Sequence, residues 1–264
     1  MQNLNRIDQL FKSLRKAKRC GVIAYVTCGD PDPDTTLKVV LAMERAGADA
    51  IELGVPFSDP IADGPVIQAA TQRALQRGTN TGDVLNVARA VRETSAIPLI
   101  AFSYLNPILR YGADCFAEDA AAAGFDSVLL TDLPPEDADV FRNAFHFRSL
   151  GLISLLAPTS SEKRVKLIDR LSDGFVYYVS TTGVTGVRSE LDPDLLSRLD
   201  EIRRQLKKPL AVGFGVSRHE HFVALQNRCD AVVVGSAIVR AIGDGTADGA
   251  PSRAADVVKA ILGD

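Results

Sequence analysis

The chain has 264 residues, 46% hydrophobic and 24% charged, and its 30 Lys+Arg against 33 Asp+Glu leave a formal net charge of −3. Such a balance excludes intrinsic disorder, which needs low hydrophobicity with high net charge, and offers no basic footprint for nucleic acid or an anionic membrane. The length allows either two average domains or one α/β barrel, since such barrels run to about 250 residues.

The opening segment, Met1 to Arg6, has no long apolar stretch of the secretory type. No apolar run approaches the roughly 18 residues that span a bilayer. A soluble, cytoplasmic protein is therefore expected. From there, short β-branched and apolar runs alternate with longer amphipathic stretches. The strand-like runs are Val22–Cys28, Ala50–Val55, Pro98–Tyr104, Ser127–Leu133, Leu152–Ala157, Phe175–Thr181, Pro209–Val216 and Ala231–Val239. Between them lie helical patterns such as Leu37, Val40, Leu41, Met43 and Glu44, stopped at Gly47. Asp34-Thr35 and Ser160-Ser161 are expected N-caps. Strands alternating with helices imply parallel pairing and right-handed crossovers. Eight such units, with no Pro/Gly/Ser-rich linker, predict one (β/α)8 TIM barrel over residues 1–264 with an extra N-terminal helix. An open doubly wound sheet would want G-x-G-x-x-G after its first strand, and none is present.

Three segments echo one another: Asp49-Ala50-Ile51-Glu52-Leu53-Gly54, Asp126-Ser127-Val128-Leu129-Leu130-Thr131 and Asp230-Ala231-Val232-Val233-Val234-Gly235. Aligned on the aspartates, the fourth position is Glu52, Leu129 and Val233. The carboxylate thus stands where the other copies bury an apolar side chain. Ile51, Leu53 and Val55 share one face by period two, so Glu52 and Gly54 take the other. If the apolar trio packs on the helices, Glu52 points into the barrel, where desolvation raises its pKa toward the range useful for proton transfer.

The loop Pro56-Phe57-Ser58-Asp59-Pro60-Ile61-Ala62-Asp63-Gly64-Pro65 leaves this strand at the end where barrel enzymes place their sites. Asp59 reads as turn chemistry. Asp63 is either a second carboxylate facing the cavity or the N-cap of the helix through Ile67, Ala70 and Leu75. Gly213-Phe214-Gly215 at the end of the seventh run and Gly235-Ser236 in the eighth are placed to bring backbone N–H groups to a phosphate. Thr181 to Ser189, with Gly183 and Gly186, reads as either a lid or a passive loop. Tyr25, Phe102, Tyr104 and Tyr177 sit on strands, with core packing expected for Tyr25, Phe102 and Tyr104. Cys20, Cys28, Cys115 and Cys229 show no Cys-x-x-Cys pair, so reduced thiols and no metal site are expected.

The block Glu52-Leu53-Gly54-Val55-Pro56-Phe57-Ser58-Asp59-Pro60, followed by Ala62-Asp63-Gly64-Pro65, closely resembles the signature of the tryptophan synthase alpha chain family. Val26-Thr27-Cys28-Gly29-Asp30-Pro31, Gly183-Val184-Thr185-Gly186, Gly213-Phe214-Gly215 and Gly235-Ser236 match in order and spacing, from about residue 20 to 240. The resemblance implies a lyase that cleaves indole-3-glycerol phosphate into indole and glyceraldehyde 3-phosphate. It implies Glu52 as general acid–base and Asp63 as the partner of the indole N–H. Tyr177 would line the pocket near Glu52, and Tyr25, Phe102 and Ile61 would enclose the indole. Gly186, Gly215, Gly235 and Ser236 would hold the phosphate, and Thr185 would tie the lid to Asp63. It further implies a heterotetramer of two alpha and two beta chains, the beta chain carrying pyridoxal phosphate, with no cofactor or metal on this chain. The segments Val55–Asp63 and Asn106–Tyr111 would face that partner. Two positions depart from the family pattern: Thr181, where a larger residue is common, and Tyr25, where Phe is frequent. A phosphate-binding regulatory subunit and a lyase working without a partner are the competing readings; another barrel isomerase or aldolase would want a Schiff-base lysine or metal ligands on its strands.

Overall fold

A computed structural model describes residues 5–179 and 193–264 of the chain. Eight parallel strands, β1 (Gly21–Thr27), β2 (Ala50–Gly54), β3 (Leu99–Ser103), β4 (Ser127–Leu130), β5 (Gly151–Leu156), β6 (Val176–Val179), β7 (Leu210–Gly213) and β8 (Ala231–Val234), pair in chain order and close into a barrel. The seam between β8 and β1 sets Gly21 opposite Ala231. The predicted fold and its eight strands are those observed.

Period two sorts each strand into two layers. Ile51, Leu53 and Val55 pack outward among helix residues such as Val39, Met43, Leu85 and Val91. Ile23, Ala50, Ile100, Leu129, Ile153, Ala211 and Val233 pack inward on one another. The N-terminal end is stoppered by the helix Arg6–Ala17, whose Ile7, Phe11 and Leu14 join this inner layer; Phe11 meets Phe175 at 5.2 Å between ring centroids. Asn5 caps that helix, its side chain accepting from the Asp8 N–H.

The same end carries a repeated device. Asp49, Asp126, Asp173 and Asp230 each accept the backbone N–H of a residue in an adjacent strand, Val22, Leu99, Leu152 and Leu210, at 2.8–2.9 Å. Each also meets a basic side chain: Arg19, Arg92 with Arg6, His146 and Arg203 respectively. Pairs β1–β2, β3–β4, β5–β6 and β7–β8 are thereby fastened at their entrances.

The structure corrects several sequence expectations. The apolar run from Ala231 ends as a strand at Val234; Gly235 follows, and the helix Ser236–Gly243 takes Ile238, Val239 and Ile242 into packing. Gly235-Ser236 therefore marks a strand-to-helix turn, a distinction that apolar content alone does not make. The cap of the helix Pro33–Arg45 is Asp32, accepting from the Thr35 N–H at 2.7 Å, in place of Asp34-Thr35; Pro33 then occupies the first turn, where its missing N–H is no loss. Ser161 caps Glu162–Leu171 as expected. Cys20, Cys28 and Cys229 are buried free thiols and Cys115 is exposed. Among the described residues, no cluster of three or more metal-ligating side chains exists, and no helix is long and apolar enough to cross a membrane.

Candidate active site

The cavity opens at the C-terminal ends of the strands and has a volume of about 370 Å³. Its walls bring together Tyr25, Glu52, Ile61, Asp63, Phe102, Tyr177, Gly215, Gly235 and Ser236, nine of the eleven residues singled out from the sequence. The other two, Thr185 and Gly186, lie outside the described residues, as does Thr181.

Glu52 is 0% exposed. It sits on β2 opposite Tyr25 of β1 and Ile100 of β3, and neither carboxylate oxygen has a hydrogen-bond partner among the described residues. Desolvation favours the neutral acid and pushes its pKa up to about 8. Among the described residues no cation offsets this burial, so at neutral pH the group is mainly a protonated carboxyl with an available proton.

Asp63 follows β2 by nine residues and is half-buried at the cavity mouth. Burial raises its pKa to about 6, against a lowering by the Tyr104 hydroxyl, which donates to Asp63 Oδ2 at 3.1 Å. Asp63 is not the helix cap: Gly64 holds that place before Pro65–Gln76 and makes no side-chain cap bond. The carboxylate is therefore free to face a ligand. The two acids differ as a proton donor and an anion should: near pH 7, Glu52 is mostly neutral and Asp63 mostly charged.

An aromatic wall spans the cavity. Tyr25 meets Phe102 edge-on, with centroids 5.1 Å apart and planes at 74°, and Phe102 lies 6.5 Å from Tyr177. Burial and the neighbouring carboxylates drive both tyrosine pKa values well up, so both stay neutral donors. Ile61 lines the cavity from the loop yet is 86% exposed, forming a rim more than a wall. Also lining the cavity, Gly215 has φ +63°, a left-handed conformation suited to glycine. A Cβ there would meet nothing within 4 Å. Gly235 precedes the helix Ser236–Gly243, whose unsatisfied N–H groups and dipole favour an anion.

Two residues escaped the sequence reading. Tyr104, expected to be core, both donates to Asp63 and accepts the Ala62 N–H at 2.9 Å, anchoring the loop after β2. Its ring also packs against Phe57 at 5.2 Å. Thr131, just past β4, lines the cavity with its hydroxyl beside that of Tyr104. Its signal was in the internal repeat: aligned on the aspartates, the sixth position reads Gly54, Thr131 and Gly235, and both Thr131 and Gly235 line the cavity.

A profile of the tryptophan synthase alpha chain matches residues 11–261. The chain belongs to the tryptophan synthase alpha chain family. It is 52% identical to the alpha chain of Solibacter usitatus (strain Ellin6076) over 239 residues, 90% of each chain. It is 48% identical to that of Geobacter sp. (strain M21), over 90% of this chain and 89% of the relative. Among solved structures, the alpha subunit from Legionella pneumophila str. Paris superposes with a TM-score of 0.89 at 36% identity, covering 99% of this chain and 100% of the other. A chain of the tryptophan synthase a2b2 complex from Pyrococcus furiosus gives 0.88 at 39% identity, covering 92% and 98%. Membership in this alpha chain family accounts for the closed eight-stranded barrel.

Proposed function

We propose that this chain cleaves indole-3-glycerol phosphate by retro-aldol chemistry, with Glu52 as the group that moves the proton. The observation that carries this assignment is a fully buried carboxyl, without a hydrogen-bond partner among the described residues and with a raised pKa, in a cavity lined by aromatic rings. The Glu52 carboxyl gives its proton to the indole carbon that bears the glycerol phosphate. The ring becomes an indolenine whose N–H carries positive charge, and the Asp63 carboxylate accepts a hydrogen bond from it. The Glu52 carboxylate then takes the proton of the hydroxyl on the attached carbon. That carbon becomes the aldehyde of glyceraldehyde 3-phosphate, and the electrons of the broken C–C bond restore the aromatic ring. Proton transfer of this kind contributes roughly 10²–10⁴-fold to a rate, and a fixed carboxylate near a developing cation adds electrostatic stabilisation.

Tyr25, Phe102 and Tyr177 enclose the indole in this reading, with Ile61 closing the rim. Gly215, Gly235 and Ser236 bind the phosphate through backbone N–H groups, which a chain of net charge −3 can do without a basic patch. Thr185 and Gly186 keep the lid and phosphate roles implied by the resemblance.

The beta chain is the expected partner, in a complex like the a2b2 assembly named for the Pyrococcus furiosus relative. Supporting this, Ile61 and Leu109 are 86% and 54% exposed in the two segments expected to face it, and the first segment borders a surface groove with Phe57 and Leu75. Indole passes to that partner for tryptophan synthesis, and pyridoxal phosphate belongs there, with no cofactor assigned to this chain. We place the reaction in the cytoplasm. The test is an indole-release assay with the purified chain alone and with a beta chain. Release that rises on adding the beta chain supports the reading, whereas ligand binding without indole in either case favours a regulatory subunit.

A further inference from the structure

Tyr25 and Gly54 compete for one volume. A Cβ at Gly54 would stand 2.8 Å from Tyr25 Cζ and 2.9 Å from Cε2, and closer still to the hydroxyl. Carbon atoms separate to about 3.5–4.0 Å at rest, so the tip of the Tyr25 ring lies where a side chain at 54 would begin. The backbone gives no reason for glycine here: Gly54 does not have the left-handed φ that Gly29 and Gly215 show. It is an ordinary last residue of β2, where alanine would otherwise be admitted. Two contacts keep the ring from swinging aside. The Tyr25 hydroxyl pairs with Thr27 Oγ1 at 3.3 Å, and the ring packs T-shaped on Phe102.

We propose that Gly54 is a positioning residue for substrate. By lacking a side chain, it lets the Tyr25 phenol lie back over β2, tied to Thr27, and so fixes how deeply an aromatic ring enters beside Glu52. Gly54 follows Glu52 by two residues on the same inward face, so the wall and the acid are set by one strand. Restoring normal contact after adding a Cβ would push the ring tip by roughly 0.5–1 Å, and a misplacement of about 1 Å at a reacting centre can reduce a rate by up to about 10²-fold. The indole-facing part of this inference rests on the proposed reaction; the pairing of Tyr25 with Gly54 does not.

The experiment is a mutant cycle of wild type, Gly54→Ala, Tyr25→Leu and the double variant, read by thermal unfolding and by ligand affinity. Two probes are used, an indole carrying a phosphorylated propyl chain and glycerol 3-phosphate. Gly54→Ala is expected to lower Tm by a few degrees and to weaken the indole probe about tenfold, leaving glycerol 3-phosphate within twofold. In the Tyr25→Leu background, the same alanine is expected to leave Tm and indole affinity unchanged, and a Gly54→Ala chain that fails to fold should be rescued by Tyr25→Leu. Equal Tm effects of Gly54→Ala in both backgrounds, or equal weakening of both probes, would overturn the inference. If wild type binds glycerol 3-phosphate but not the indole probe, the proposed reaction fails, and the positioning of substrate fails with it, while the Tm cycle still decides the pairing.

Discussion

The two ends of the barrel treat carboxylates in opposite ways. At the N-terminal end, Asp126 is buried yet fully engaged, accepting the Leu99 N–H and meeting both Arg6 and Arg92. At the C-terminal end, Glu52 is buried as deeply and has no partner among the described residues. The first arrangement holds adjacent strands together. The second leaves an acid in a state that folding alone would not select, because a buried group left unsatisfied costs stability. Conformational stability and chemistry are thus placed at opposite ends of the same strands, a division that barrels of this kind allow.

Substitutions at each end should separate these roles, the largest effect falling on the reaction. Glu52→Gln keeps the shape of the side chain and is expected to lower the rate of indole release by roughly 10²–10⁴-fold, with glycerol 3-phosphate affinity unchanged. Wild-type turnover in that variant would break the contrast at its centre. Asp126→Ala should act in reverse, destabilising the fold by about 3 kcal/mol, since removing one partner of a buried pair strands the other; denaturant unfolding measures it. If that loss were instead below about 1 kcal/mol, the entrance device would be ornamental.

Smaller effects come from pH. The folded-state pKa of Glu52 lies above its ordinary value, so folding favours its neutral form. The stability this gives is fully present below about pH 4.5 and is lost as pH rises through about 8. Glu52→Gln should remove that loss, making the variant more stable than wild type at pH 9 by a few kcal/mol, with no such advantage at pH 4. The profile of kcat/KM should rise as Asp63 ionises near pH 6 and fall as Glu52 loses its proton near pH 8. Tyr104→Phe removes the hydrogen bond that holds the Asp63 pKa down, so the acid limb should move to higher pH while the alkaline limb stays. The smallest effect belongs to the exposed side of the entrance. Arg19, half in solvent, pairs with Asp49, and Arg19→Ala should cost about 0.5–1 kcal/mol, less at high salt.

Much of this organisation is legible in the amino-acid sequence. Period two in Ile51, Leu53 and Val55 turns Glu52 inward, and the internal repeat marks it as the one carboxylate among apolar equivalents. The repeat's aspartates were equally visible, but not their task, because each bonds the backbone of a neighbouring strand and so depends on pairing register. Tyr104 was hidden for a related reason. A tyrosine at a strand end reads as core until the loop bearing Asp63 folds back over it. The eighth strand is shorter than its apolar run because Ile238 and Val239 are as apolar as the strand before them; only the turn at Gly235 distinguishes the two.

The contrast between the two ends rests on Glu52 being a neutral acid at the pH of catalysis. Difference infrared spectroscopy of wild type against Glu52→Gln observes that proton directly, through the carbonyl stretch of a protonated carboxyl. The account predicts a band present at pH 6.5, absent from the variant and titrating away near pH 8. A Glu52 already ionised at pH 6.5, titrating near an ordinary glutamate value, would contradict it.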